Sequence, residues 1–419
     1  MGGFRTGFEQ GTKSLGIEAE CVFSSDIKPY AVEIYKKNFN NEYVHGDINH
    51  VASEDIPDFD VLLGGFPCQP FSNAGKREGF TDTRGTLFFE IERILDVKKP
   101  KYFILENVEG LVTHEKAHKH HPHGETLKVI LEKLHALGYT VSWNVLNAKD
   151  FGLAQSRQRI YIVGTREREI DLYNFERKET KLREVLEQGL PVVDTDLSRK
   201  LLSHFTPEQL QGKAIKDKRG GDNNISAWDI GMKGEVDADQ KVLLNKIMRA
   251  RRNKKWAELK GIAWMDGMPL TQEEIETFYT HDNLDAMLAD LVEKDYLRLE
   301  HPKDLVVMTD ENGKTKKVRQ PRTDLPKGYN LFAGKLSYEI NKILDSNDVT
   351  PTLVASDIDR IYVIDNGGLR NLTFIELNRL FGFPDNFDVG TDKRKAYDLY
   401  GNTVAVPIVS EITKKLLED

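Results

Sequence analysis

Pro67-Cys68-Gln69-Pro70 follows the run "FDVLLGGF", and a thiol set between two prolines is chemically pointed. Proline has no backbone N–H and fixes its own φ, so neither helix nor sheet continues here and the thiol is presented on a shaped loop. Further on, Glu106 and Asn107 end the run "KYFIL", and Gln155, Arg157 and Arg159 lead into "IYIVG". A thiol becomes a useful nucleophile where nearby positive charge favours its thiolate. A carboxyl group in a buried pocket holds its proton to higher pH and can supply it. Together these residues offer covalent addition backed by proton donation. Cys21, in "AECVF", reads instead as a small buried hydrophobe.

The elements that must position these groups follow from the apolar pattern. "ECVFSSD", "FDVLLGGF", "KYFILENV" and "RIYIVGT" read as strands, and "PYAVEIYKKNF" between the first two has apolar residues at helical spacing. Strands alternating with helices imply an α/β fold with a mostly parallel, Rossmann-like sheet. Ligands of such sheets bind at the carboxyl ends of the strands, so Asp26, Gly64, Gly65, Glu106 and Asn107 gather interest there. The α/β texture resumes from about residue 366, with the amphipathic "LTFIELNRLFGFPDNF" and the glycine turn of "YGNTVAVPIVSEITKKLL".

Residues 186–365 differ, being charged and less regular, and suggest a smaller α+β domain. Thr271 and Glu274 have capping-box spacing. Leu284, Met287, Leu288, Leu291 and Val292 fall on one helical face, and Asn312-Gly313 between two strand-like runs signals a hairpin. Helix, helix and hairpin over about 237–318 resemble a winged helix-turn-helix; the alternative is an ordinary α+β insert with no role on DNA.

With 419 residues, 39% hydrophobic and 30% charged, the chain can bury a sizeable core. It has no apolar run of the roughly 20 residues that a membrane helix needs, and two cysteines fit a reducing cytoplasm better than a disulfide scaffold. The net charge of −8 requires any nucleic-acid footprint to be local. The densest candidate is "MRARRNKKW", with Arg249, Arg251 and Arg252, which a solvated helix face explains equally well. Five of the eleven histidines lie between His114 and His123. Their irregular spacing matches no zinc pattern and reads as a solvated loop, so no metal is expected.

Taken in order, "GGFRTGFE", "FSSDIKPYAVEIYKKNF", "GDI", "GGFPCQPFS", "RGTLFFEI", "ENV", "QSRQRIYIVG", "LTFIELNRLFGFPDNF" and "YGNTVAVP" closely resemble the bacterial cytosine-5 DNA methyltransferases of restriction–modification systems. They cover most of residues 1–165 and 366–419. The resemblance implies a catalytic domain over 1–185, a target-recognition domain over 186–365 and a return to the catalytic domain over 366–419. It implies that Cys68 adds to carbon 6 of a cytosine while Glu106 protonates or hydrogen-bonds ring nitrogen 3, that Arg157 holds the base, and that Arg159 is structural. The cytosine must be flipped out of the duplex. S-adenosylmethionine is the implied cofactor, met by Gly2, Gly3, Asp26, Ile27, Asp47, Ile48, Gly65, Leu87, Asn402 and Thr403. Lys76, Arg77 and Arg84, on a loop that closes over DNA, join Thr352, Leu353 and the arginine cluster as implied DNA contacts.

The implied partner is double-stranded DNA, bound by a monomer, with a restriction endonuclease as functional partner in a bacterial cytoplasm. The family's first strand and its Asp-Leu-Phe-Ala-Gly-like turn have no counterpart before Met1. The expectation is a misplaced start, with about ten to twenty residues, a strand plus turn, lying upstream. A tRNA cytosine-5 methyltransferase and a truncated, impaired DNA-binding homologue are the competing readings.

Overall fold

The computed structural model describes residues 1–40, 42–66, 87–115, 123–216, 223–263, 267–309, 315–332 and 338–418. Cys68, Lys76, Arg77 and Arg84 lie outside the described residues, with most of the histidine-rich stretch and the Asn312-Gly313 turn. The chain forms two units, one of residues 1–187, 345–359 and 372–419, the other of 188–344 and 360–371. Residues 345–359, with Thr352 and Leu353, belong to the first unit.

In the first unit, helices α1 (Gly3–Ser14) and α2 (Pro29–Asn38) precede a sheet built from β1 (Val61–Gly65), β2 (Tyr102–Val108), β3 (Thr140–Asn147) and β4 (Gln158–Thr165). Helix α3 (Leu87–Lys98) connects β1 to β2, and α4 (Glu125–Ala136) connects β2 to β3. The order is β1-β2-β4-β3, with β1 parallel to β2 and β4 antiparallel to both its neighbours. The mostly parallel sheet is corrected to a mixed one. The cause is the connection: residues 148–157 join β3 to β4 with only a 3₁₀ turn, Ala148–Asp150. Without a crossover helix, the chain returns antiparallel. "ECVFSSD" forms no ladder among the described residues, only a parallel bridge from Ser25 to His45. Cys21 is half-buried, its Sγ 3.2 Å from Ser24 Oγ, rather than a core hydrophobe.

The second unit opens with α5 (Asp196–His204), α6 (Pro207–Leu210), β5 (Ala214–Ile215) and β6 (Asn224–Ile225). Helices α7 (Ala238–Ala250), α8 (Lys255–Lys260), α9 (Gln272–Glu276) and α10 (Leu284–Glu293) follow, then β7 (Leu297–Glu300), β8 (Lys303–Thr309), β9 (Thr315–Pro321) and β10 (Gly328–Leu331). The Thr271–Glu274 capping box starts α9 as its spacing requires. Leu284, Met287, Leu288 and Leu291 are buried in a core shared with Leu243, Leu244, Ile247 and Trp256. β8 and β9 form an antiparallel ribbon, β7 pairs with β10, and Leu270 bridges Tyr329 of β10. A second sheet joins β5 and β6 to β11 (Lys342–Ile343), β12 (Ile361–Asp365) and β13 (Gly368–Asn371).

The chain re-enters the first unit with α11 (Phe374–Phe381), α12 (Lys393–Asn402) and α13 (Val406–Leu417). Thr373 and Glu376 form the capping box of α11, and Gly382 ends it at φ 84°, a conformation suited to glycine. One face of the sheet buries Ile104, Tyr161 and Val163 with Ile408, Val409 and Ile412 of α13. The other buries Phe103, Leu105, Ile160 and Ile162 with Leu95, Leu127, Ile130 and Leu134 of α3 and α4. A strand covered on both faces reads as an unbroken apolar run, which is why "KYFIL" and "IYIVG" stand out in the sequence. Gly7 and Gly11 let α1 lie against α13: a Cβ at Gly7 would stand 2.7 Å from the Val406 carbonyl oxygen, and one at Gly11 2.7 Å from Thr413 Cβ.

Candidate active site

Strand register brings the first catalytic candidates together. In the β2–β4 pair, Glu106 is opposite Tyr161 and Val108 opposite Arg159. Residues two apart on a strand share a face, so Arg159 is the diagonal neighbour of Glu106. Its Nε stands 3.1 Å from Glu106 Oε1, with the two side chains only 14% and 15% exposed. Burial raises the Glu106 carboxyl above the ordinary glutamate range, and the Arg159 and Arg157 charges oppose that shift. Tyr161 is fully buried, and burial together with the Glu106 charge keeps its phenol protonated. Gly65 ends β1 opposite Glu106, where a Cβ would stand 3.6 Å from Glu106 Oε2 and 3.8 Å from the Phe4 ring. Asn107 is buried and donates from Nδ2 to the Phe66 carbonyl at 2.7 Å. That bond fixes the backbone just before Pro67-Cys68, where the described chain stops.

The two arginines are placed differently from what was expected. Arg159, expected to be structural, faces the carboxyl group. Arg157, expected to hold the base, is buried with its guanidinium turned to the backbone: Nη2 donates to Gly401 O at 3.0 Å and Thr403 O at 2.6 Å, and Nη1 to Leu353 O at 3.4 Å. Burial, and then repulsion from Arg159, lowers its pKa to about 10, which leaves it charged at neutral pH. Position decides the difference. Arg159 lies inside β4, whereas Arg157 precedes the strand and is free to reach across to the C-terminal segment. Gln155, also buried, donates to Leu380 O at 2.9 Å and accepts from Leu353 N at 3.2 Å. Leu353 is wholly buried, so its side chain is a packing group and not a DNA contact. The hydroxyl of Thr352 donates to Ser156 O at 2.7 Å.

Most of the cofactor candidates meet at neighbouring points. Gly2 has φ 98°, and a Cβ on Gly3 would stand 2.4 Å from Thr403 Oγ1. The Asp26 amide donates to His45 O, and the Ser25 hydroxyl to Gly46 O, so the Asp26-Ile27 and Asp47-Ile48 stretches run side by side. Asp26 Oδ1 accepts from the Lys28 amide and Asp47 Oδ1 from the Asn49 amide. Ile27 is 68% exposed, an apolar side chain with uncovered surface. Arg93 holds the second stretch by donating to the Ile48 and Val51 carbonyls. Leu87 begins α3 and packs, half-buried, with the Phe66 and Phe88 cluster.

A residue that sequence reasoning missed links these points. Asp398 accepts from Lys28 Nζ at 2.6 Å, Tyr30 OH at 2.7 Å and Asn402 Nδ2 at 3.1 Å, and so ties the Asp26 loop to the segment carrying Asn402 and Thr403. Its place four residues before Asn402 on one helix was the available signal.

The implied DNA contacts divide. Arg249 and Arg252 are exposed at the end of α7. Arg251 is buried, with Nη1 donating to Asn330 Oδ1 at 2.7 Å, so it is corrected from a phosphate contact to a core hydrogen-bonding group of the second unit. Among the described residues no cluster of His, Cys, Asp or Glu could hold a metal ion.

The fold is that of solved methyltransferases. It is similar to the S. pombe Dnmt2 methyltransferase at a TM-score of 0.52 and 16% identity, over 98% of this chain and 95% of that one. The model of the family described as C-5 cytosine-specific DNA methylase matches residues 1–418. The chain belongs to that family, as its motif order implied. It is 54% identical over 417 residues to the type II methyltransferase M.NlaIV of Neisseria lactamica and 52% identical over 417 residues to M.NgoBV of Neisseria gonorrhoeae. Each comparison spans 100% of this chain and 96% of the relative.

Proposed function

We propose that this DNA cytosine methylase transfers a methyl group to carbon 5 of a flipped cytosine in a specific duplex sequence, and acts as the modification enzyme of a type II restriction–modification pair in the bacterial cytoplasm. The observation that carries the reading is the Glu106–Arg159 pair, a carboxyl group with a raised pKa beside a guanidinium group, opposite the end of β1, the strand whose sequence runs on to Pro67-Cys68. Glu106 holds its proton at ring nitrogen 3 while the Cys68 thiolate bonds to carbon 6. The ring electrons then concentrate on carbon 5, which takes the methyl group. Loss of the carbon-5 proton to solvent breaks the carbon–sulfur bond, restores the thiolate and returns the nitrogen-3 proton to Glu106. Arg159 orients the carboxyl group and offsets its charge when the proton moves to the base. Arg157 and Gln155 hold the Leu353 and Thr403 segments that frame the site.

S-adenosylmethionine supplies the electrophilic methyl group, and the residues present fit it. At Gly2 and Gly3 a side chain would collide with its surroundings, and Gly65 ends β1 beside Glu106. Asp26 offers a carboxylate suited to ribose hydroxyls, Ile27 an uncovered apolar surface, and Asp47 and Ile48 the neighbouring stretch. Leu87, Asn402 and Thr403 complete the set. Residues 188–344 would carry target recognition, with the enzyme acting as a monomer on DNA beside a cognate endonuclease. Incubation with methyl-labelled S-adenosylmethionine and mixed-sequence duplex DNA tests this: 5-methylcytosine in the DNA is the expected product. Label entering tRNA in preference to DNA would overturn the choice of substrate.

A further inference from the structure

We propose that the outward face of the β8–β9 ribbon, carrying Lys317 and Arg319, lies along the phosphate backbone of duplex DNA, and that helix α10 stays out of the grooves. The proposal rests on the reading of the chain as a DNA methyltransferase, and within the helix–helix–hairpin segment it assigns the contact to the hairpin rather than to the helix or the arginine cluster.

The second unit places helices α7 to α10 before a β-ribbon and closes the ribbon's base with the β7–β10 pair and the Leu270–Tyr329 bridge. In helix-turn-helix proteins, the second helix of the pair enters the major groove. The corresponding helix here is α10, and its charge opposes that use. Its exposed positions, with the two residues leading into it, are Asp282, Asn283, Asp285, Ala286, Ala289 and Glu293, without a cation. Acidic side chains facing phosphates at close range repel them.

The ribbon has the complementary charge. Side chains alternate across a ribbon, so Leu305, Val307, Lys317 and Arg319 share one face, with Val307 opposite Lys317 and Leu305 opposite Arg319. Val307 is 63% exposed and Leu305 39%, and both cations are exposed. Neither the Lys317 nor the Arg319 side chain makes an ion pair or hydrogen bond among the described residues. The acids at the base of the ribbon are already engaged: Asp304 accepts from the Ala263 and Leu305 amides and pairs with Arg322 at 3.4 Å. Glu300 accepts from Asn330 at 2.7 Å and lies 3.6 Å from Lys303 Nζ. Two cations beside two apolar side chains suit a sugar–phosphate surface, where the apolar groups cover sugar and the cations meet phosphate oxygens. The arginine cluster is a weaker candidate, since Arg251 is buried and Lys255 lies over the Trp256 ring at 4.1 Å.

The test compares the full-length chain with its Lys317→Ala/Arg319→Ala variant for binding to a mixed-sequence duplex across a salt series. Each neutralised phosphate adds about 0.9 to the slope of log affinity against log salt, which at ~0.1 M salt corresponds to about eightfold in affinity. The variant should bind about 60-fold more weakly, with a slope shallower by about 2, while its melting temperature stays unchanged because both residues are exposed. An Asp285→Asn/Glu293→Gln variant of α10 should change affinity by about twofold or less. Unchanged affinity, or weaker binding with an unchanged slope, in the ribbon variant of a protein that still methylates DNA would overturn the ribbon contact alone. A tenfold gain from the α10 variant would place that helix against phosphate and overturn the second half. If the parent chain fails to bind duplex DNA at all, the functional reading fails and the ribbon contact with it.

Discussion

Replacing Arg157 with methionine should loosen two chain segments without unfolding the protein. The side chain is buried and donates to Gly401 O at 3.0 Å and Thr403 O at 2.6 Å, with a longer contact to Leu353 O at 3.4 Å. A hydrogen bond from a charged donor contributes about 1.5 kcal/mol or more, so losing the two shorter ones costs about 3 kcal/mol. At tenfold per 1.4 kcal/mol, local opening of the segments around 350–355 and 400–405 becomes ~10²-fold more frequent. Amide hydrogen exchange read by mass spectrometry reports this directly, because Thr350 N, Leu353 N and Thr403 N are all hydrogen-bonded in the folded chain. Arg159→Met should leave exchange in both segments unchanged and lower the transfer rate by about 10² or more, as expected for a charged group beside the reacting base. An Arg157→Met chain with untouched exchange and only a weaker grip on the flipped base would instead place Arg157 on the base and refute its tie to the two segments.

Glu106→Gln should abolish most transfer and yet leave the chain at least as stable at neutral pH, read as the urea midpoint. A carboxyl whose folded pKa lies above its unfolded value binds more protons in the native state, so its stabilising contribution is present at low pH and declines as pH rises through the folded pKa. For the same reason, kcat/KM should fall on the alkaline side of the raised Glu106 pKa, and that limb should be missing from the residual activity of the variant. Gly7→Val should lower the melting temperature, since its Cβ would meet the Val406 carbonyl at 2.7 Å; overpacking of this kind costs about 1–3 kcal/mol. Asp398→Ala should raise the KM for S-adenosylmethionine by about 3- to 10-fold with kcat at saturation nearly unchanged, because it unties the Asp26 loop from Asn402. An equal fall in kcat would instead assign Asp398 to the chemistry.

The parts of the fold legible in the sequence were those that local chemistry dictates. The capping boxes at Thr271 and Thr373 start α9 and α11, the glycine at 382 ends α11, and the spacing from Leu284 to Leu291 gives the buried face of α10. Strand direction was not legible. Alternation and apolarity are the same read either way along the chain, so β4 could be found but not oriented. Residue types also announced the site, but not its division of labour. Arg157 and Arg159 have the same parity, and only the start of β4 at Gln158 decides which arginine joins the ladder beside Glu106. Leu353 and Arg251 looked like surface contacts because a short polar or basic context hides burial that distant segments impose. Asp398 escaped notice because its partners Lys28 and Tyr30 lie some 370 positions away.

In the proposed chemistry, carbon 5 of cytosine is the atom that reacts. Duplex DNA carrying tritium at carbon 5 of its cytosines, incubated with the chain and S-adenosylmethionine, measures this directly through tritium released to water. The prediction is one tritium released for each methyl group transferred, with both signals falling together in Glu106→Gln. Methyl transfer without tritium release would place the product on an exocyclic nitrogen and contradict the account.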